Sequence, residues 1–94
     1  MASKPIRFSN RARRRIELRG ATEAEITDAI RTMKWQPALQ GKWQVRKKLD
    51  FRRPSPLNQQ VYAYKTVHAI FADETGSIVV VRVIVYYGNE EQAE

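Results

Sequence analysis

Near Lys42 the spacing of apolar residues changes period, and that change restricts the chain to a fold built from both helices and strands. Before it, Ile26, Ala29, Ile30 and Met33 recur at intervals of three and four, the stripe of one buried helix face. After it, Trp43, Val45, Leu49 and Phe51 alternate with Lys42, Gln44, Arg46, Lys48 and Asp50, which describes a strand with one basic face. Lys47 falls on the apolar side and marks an edge or a twist. Further strands are expected from about Val61 to Ala72 and from Ser77 to Tyr87.

The helices carry their own boundary signals. Ser9 is a good N-cap and Gly20 a good C-terminal residue, so a first helix is expected between them. Ala12 and Ile16 face its core side, with Phe8 just outside the cap. Arg11, Arg14 and Arg15 gather on an adjoining face with Leu18. Thr22 and Glu25 form a capping box for the second helix, which Pro37 and Gly41 bring to an end. Arg52 to Asn58 contains Pro54 and Pro56 and reads as a loop. The expected fold is α+β, with two N-terminal helices packed on one face of a three- to four-stranded antiparallel sheet. It is a single domain over residues 1–94, with flexible ends at about 1–6 and 89–94.

The charge is unevenly placed. Residues 1–20 hold seven basic side chains against Glu17, and residues 42–53 hold six against Asp50. The whole chain carries +7, so everything outside those stretches is net acidic. Segregated positive charge produces a directed field that favours polyanions, and nucleic acid is the commonest of them. The alternative is a generally basic, solvated surface. Like charges at the spacing of Arg11 and Arg15 repel unless an anion compensates them. No cysteine is present, which suits a reducing compartment. The first residues lack a secretory apolar run, and the run from Ile78 to Tyr87 falls short of the ~20 residues of a spanning helix. A cytoplasmic protein without membrane contact is expected.

The turn Asp73-Glu74-Thr75-Gly76-Ser77 sets which residues share a sheet face. A three-residue hairpin loop pairs Asp73 with Ser77, and then His68 opposes Arg82 and Tyr64 opposes Tyr86. One face would carry Val61, Ala63, Val67, Ala69, Phe71, Val79, Val81, Val83 and Val85, with Lys65 the polar exception. The other would carry Tyr62, Tyr64, Thr66, His68, Arg82 and Tyr86. Helices must cover the first face. The second suits RNA, since bases stack on tyrosine and arginine binds phosphate through two parallel hydrogen bonds. Each residue also has a plainer reading: His68 as a satisfied sheet histidine, Arg82 as half of an ion pair, and the tyrosines as ordinary strand residues.

Phe8-Ser9, Arg11-Ala12, Arg15-Ile16, Arg19-Gly20 and Thr22 through Ile30, with the Val-rich strand ending in Tyr86-Tyr87, resemble a bacterial family, the domain of unknown function numbered 4258. That family is grouped with the RelE/barnase-like fold, which includes the ribonuclease toxins of toxin–antitoxin pairs. The resemblance implies an RNA-directed protein, possible action on ribosome-bound RNA, and a small acidic antitoxin as partner. It also implies a histidine before the alanine of the first helix. Here that position is Arg11, a permanent cation that cannot abstract a proton.

The chemistry left open is metal-independent RNA cleavage by the neighbouring 2′-hydroxyl, with no cofactor. One histidine, no cysteine and no clustered Asp/Glu pair away from helix caps and termini give metal-ion catalysis poor support. Arg82, helped by Arg46 or Lys48, would stabilise the phosphorane charge. His68 is the candidate general base or acid, and Tyr86 or Tyr64 would stack a base or donate a proton. The catalytic candidates are thus Arg82, His68 and Tyr86, and the RNA-binding candidates are Arg11, Arg14, Arg15, Arg46, Lys48 and Tyr64. A non-catalytic RNA-binding or protein-interaction module on the same scaffold is the alternative.

Overall fold

Helix α1 (Asn10–Arg19) begins where the Ser9 hydroxyl accepts the Ala12 N–H at 3.1 Å. It ends at Gly20, whose φ of 81° is the left-handed conformation that closes a helix and whose N–H donates to the Ile16 carbonyl. Helix α2 (Glu23–Thr32) opens with the expected capping box: the Thr22 hydroxyl accepts the Glu25 N–H, and the Glu25 carboxylate accepts the Thr22 N–H. The computed structural model describes residues 4–89. The acidic tail residues Glu90, Glu91 and Glu94, expected to fray, lie outside the described residues.

Ile26, Ala29 and Ile30 are buried as their spacing predicts, but Met33 is not. The helix stops at Thr32, and Met33 is an extended C-cap with 39% of its surface exposed. Trp35 takes the place Met33 was expected to fill. Its indole N–H donates to the Ile30 carbonyl at 2.8 Å, and its ring meets Phe71 edge-on at 4.7 Å.

The strands are β1 (Ile6–Phe8), β2 (Gln36–Pro37), β3 (Trp43–Pro54), β4 (Val61–Asp73) and β5 (Ile78–Gly88), with a 3-10 turn at Leu39–Gly41. They form one sheet in the order β1-β5-β4-β3-β2. The fold is α+β as expected, but the sheet has five strands rather than three to four. It is mixed rather than antiparallel, because β1 runs parallel to β5. The two additional strands have three residues and two, too short to show a period of two. Strand β1 claims Ile6, which the sequence assigns to a flexible end.

Strand β3 also runs further than expected, through Arg52 and Arg53 to Pro54. Arg52 adopts a φ of 53° where the ladder to β4 slips between Asp50 and Arg53. Strand β2 pairs only with Trp43 and Gln44, so the rest of β3 is a sheet edge, where a proline is tolerated. The edge reading of Lys47 agrees with this position. Its ammonium reaches across the helix side to the Asp28 carboxylate and the Thr32 hydroxyl of α2.

The β4–β5 hairpin departs from the expected register in two steps. Asp73 pairs with Ile78 instead of Ser77, and Gly76 does not take the positive φ that the three-residue loop requires. The Glu74 N–H donates instead to the Ser77 carbonyl at 2.9 Å. A bulge then inserts Val81, so that Arg82 opposes Ile70, Ile84 opposes His68 and Tyr86 opposes Thr66. Before the bulge the core residues of β5 are Ile78 and Val80, not Val79 and Val81. Beyond it the two slips add to an even shift, so Val83 and Val85 face the core as expected. At the far end of β4, Val61 is exposed rather than buried. Tyr62 leaves the expected face to pack on Tyr87 at 5.6 Å, and the Tyr87 hydroxyl donates to the Arg19 carbonyl.

Both helices pack on the same side of the sheet. Ala12 and Ile16 of α1 and Ile26, Ala29 and Ile30 of α2 join Val45, Val67, Ala69, Phe71, Val80, Val83 and Val85 in one core. No helix among the described residues is long and apolar enough to cross a membrane.

Candidate nucleic-acid interface

Burial of Ala12 and Ile16 fixes the rotation of α1 about its axis. At 100° per residue, Arg11, Arg15 and Arg19 then fall along one flank, and Arg14 lies another 100° round from Arg15. That flank overlooks the part of β5 that β1 leaves unpaired, since the pairing of β1 with β5 ends at Phe8 opposite Val80. Between them lies a cleft of about 420 Å³, lined by Arg11, Arg15 and Arg19 of α1 and by Arg82 to Tyr86 of β5.

Four guanidinium groups therefore share one concavity. None of Arg11, Arg15, Arg19 and Arg82 has a carboxylate partner among the described residues; the ion pairs go to Lys4, Arg13, Lys47 and Lys65. The first turn of α1 contains no acidic residue, although a helix N-terminus favours negative charge. Arg82 and Tyr86 are both exposed, Tyr86 at 49%.

The sequence candidates separate into three groups. Arg11, Arg15, Arg82 and Tyr86 meet in the cleft, while Arg14 is exposed on α1 outside it. Arg46, Lys48 and Tyr64 sit on the helix-free face: Arg46 opposes His68, Lys48 opposes Thr66, and the Lys48 ammonium lies 4.6 Å from the centre of the Tyr64 ring. That cation occupies a ring face the sequence reading offered to a base.

His68 belongs to neither group. It is 5% exposed, and its Nε2 lies 2.8 Å from the Gln44 Oε1. Its Nδ1 is buried and has no hydrogen-bond partner among the described residues. Burial is the main cause of a lowered pKa, reinforced by the charges of Arg46 and Arg82. The lowered pKa favours the neutral ring, and His68 is not among the residues that line the cleft.

Arg19 and the edge of β5 are parts of the site that the sequence reading missed. The interval of four linking Arg11, Arg15 and Arg19 was the available signal. Among the described residues no three His, Cys, Asp or Glu side chains come together, so no metal is assigned a place. No family model, curated protein or solved structure matches the chain.

Proposed function

We propose that this chain is an RNA-directed protein of the kind found among toxin-type, metal-independent ribonucleases, and that it grips the RNA backbone in the cleft between α1 and β5. The observation that carries this reading is the convergence of four arginines, none with a carboxylate partner among the described residues, on one cleft beside an exposed tyrosine. Guanidinium groups bind phosphate in a planar, two-point geometry, and an aromatic ring beside them gives a base a surface to stack on. The RelE/barnase-like scaffold is part of the same proposal, supported by two helices on one side of a sheet. The cleft replaces the open sheet face as the principal site. Arg46, Lys48 and Tyr64 would form a secondary contact for RNA leaving it.

For cleavage, the 2′-oxygen would attack the phosphorus as water takes its proton, Arg82 would stabilise charge on the phosphorane, and the Tyr86 hydroxyl would protonate the departing 5′-oxygen as the P–O5′ bond breaks. His68 has no such role in this reading, because the residue is buried and its Nε2 is held by Gln44. The same burial favours a second reading, in which the scaffold binds RNA without cutting it. A small acidic protein that regulates the chain would compete for the same arginines.

Labelled single-stranded RNA incubated in EDTA, with and without ribosomes, tests both readings against Arg15→Ala, Arg82→Ala and Tyr86→Phe. Products with 2′,3′-cyclic phosphate ends, lost in Arg82→Ala, support the ribonuclease. Salt-dependent binding that leaves RNA intact supports the module. Failure to bind RNA at all overturns both.

A further inference from the structure

The three arginines that α1 contributes to the cleft recur at a constant interval of four residues. Four residues of α-helix advance about 6 Å along the axis and overshoot a full turn by about 40°. Arg11, Arg15 and Arg19 therefore form a row of three positive charges about 12 Å long. Successive phosphates along one nucleic-acid strand stand at a similar separation. A duplex strand presents the same spacing, but its bases are stacked and paired inside the helix, so only a single strand can also offer a base to the exposed Tyr86 ring.

The volume points the same way. About 420 Å³ lies toward the lower end of the range of small-ligand pockets, roughly 300–1,000 Å³. That is room for one nucleotide, with its neighbours' phosphates running along the helix. Arg82 closes the opposite wall, and Tyr86 exposes its ring at the same strand.

The energetics of α1 make the same demand. Like charges four apart destabilise a helix by about 0.2–0.5 kcal/mol per pair, and Arg11 sits near an N-terminus where the helix dipole opposes cations. A row of anions along that flank offsets both.

We propose that the cleft is a track for single-stranded RNA that engages three consecutive phosphates, one at each of Arg11, Arg15 and Arg19. Arg82 grips the backbone from the β5 side, and Tyr86 stacks one base. This rests on the RNA reading above and adds to it the strandedness and the length of the bound segment.

The test is fluorescence anisotropy with unstructured RNA oligonucleotides of one to eight nucleotides and a duplex of matched length, each titrated with salt. Affinity should climb steeply to four nucleotides, which supply three phosphodiesters, and flatten beyond. The duplex should bind at least tenfold more weakly. Each neutralised phosphate of a single strand contributes about −0.7 to the slope of log K against log salt. Arg11→Ala, Arg15→Ala and Arg19→Ala should each reduce that slope by about one such step, whereas the exposed Lys34→Ala should leave it unchanged. Alanine favours the helix, and circular dichroism of each variant confirms that it is folded. RNA binding with equal affinity for duplex, or with slopes indifferent to the three arginines, overturns the track and leaves the RNA reading standing. Absence of binding to every RNA overturns both.

Discussion

Lys65 donates to the Glu25 carboxylate at 2.9 Å from a position on β4 where only 3% of its side chain is exposed. The same ammonium donates to the Gly20 carbonyl at 3.0 Å and lies 5.1 Å from the centre of the Phe51 ring. Glu25 also caps α2, so one carboxylate ties the start of that helix to the middle of the sheet. The two halves of the pair are unequally placed, because Glu25 keeps 26% exposure.

Glu25→Ala should therefore cost more than Lys65→Met. Losing the carboxylate strands a buried cation and removes a cap, for a loss of about 3 kcal/mol or more. Lys65→Met leaves a partly solvated carboxylate that still accepts the Thr22 N–H, and it should cost less than about 2 kcal/mol. Urea unfolding midpoints at neutral pH decide the matter, and equal losses would contradict this account.

Gly20 and Gly41 both have positive φ, 81° and 72°, but their surroundings differ. A Cβ on Gly20 would stand 2.7 Å from both the Pro56 Cγ and the Tyr87 Oη, whereas one on Gly41 meets nothing within 4 Å. Gly41→Ala should lose only the backbone preference, about 1 kcal/mol. Gly20→Ala should lose about 2–3 kcal/mol, because it also displaces Tyr87 from α1 and Pro56 from the loop before β4. Thermal denaturation of the two variants side by side measures the difference.

Much of this arrangement was legible in local sequence. Ser9, Gly20, Thr22 and Glu25 mark their helix ends through contacts no more than four residues away, which the sequence displays directly. The hairpin register was not legible, because it depends on the conformation of Gly76 and on a bulge at Val81 that no residue type there demands. Two slips of one residue happened to restore the parity of Arg82 and Tyr86, so what β5 adds to that face survived the wrong pairing, while Tyr62 of β4 did not stay on it. The parallel strand β1 was invisible because three residues carry no period. The cleft was half legible: the charge of α1 was plain, but its partner is the part of β5 left open where β1 stops.

Arg15 stands between Arg11 and Arg19 in the cleft row, so removing it relieves two like-charge pairs at once. Arg15→Ala should stabilise the free protein by about 0.5–1 kcal/mol, counting the helix preference of alanine. It should also weaken RNA binding about tenfold. Opposite signs in the two measurements, a higher urea midpoint and a weaker anisotropy titration, would mark Arg15 as retained for function. A loss of both would make it structural.

His68 gives the folded state a dependence on acidity with a definite sign. Its pKa is lowered from 6.5, first by burial and then by Arg46 and Arg82, so the unfolded chain takes up the proton before the folded one does. Stability from this group is fully present above pH 6.5. It is lost as pH falls from 6.5 to the folded pKa, below which both states are protonated and no further loss follows. The neutral ring can donate from Nε2 to the Gln44 Oε1, whereas a second proton on Nδ1 would find no acceptor among the described residues. Because burial is the larger cause, Arg46→Ala or Arg82→Ala should raise the His68 titration midpoint only part of the way toward 6.5. A proton NMR titration of the single histidine reads this directly. A midpoint at or above 6.5 in the unaltered protein would place the ring in solvent and return His68 to candidacy as the general base.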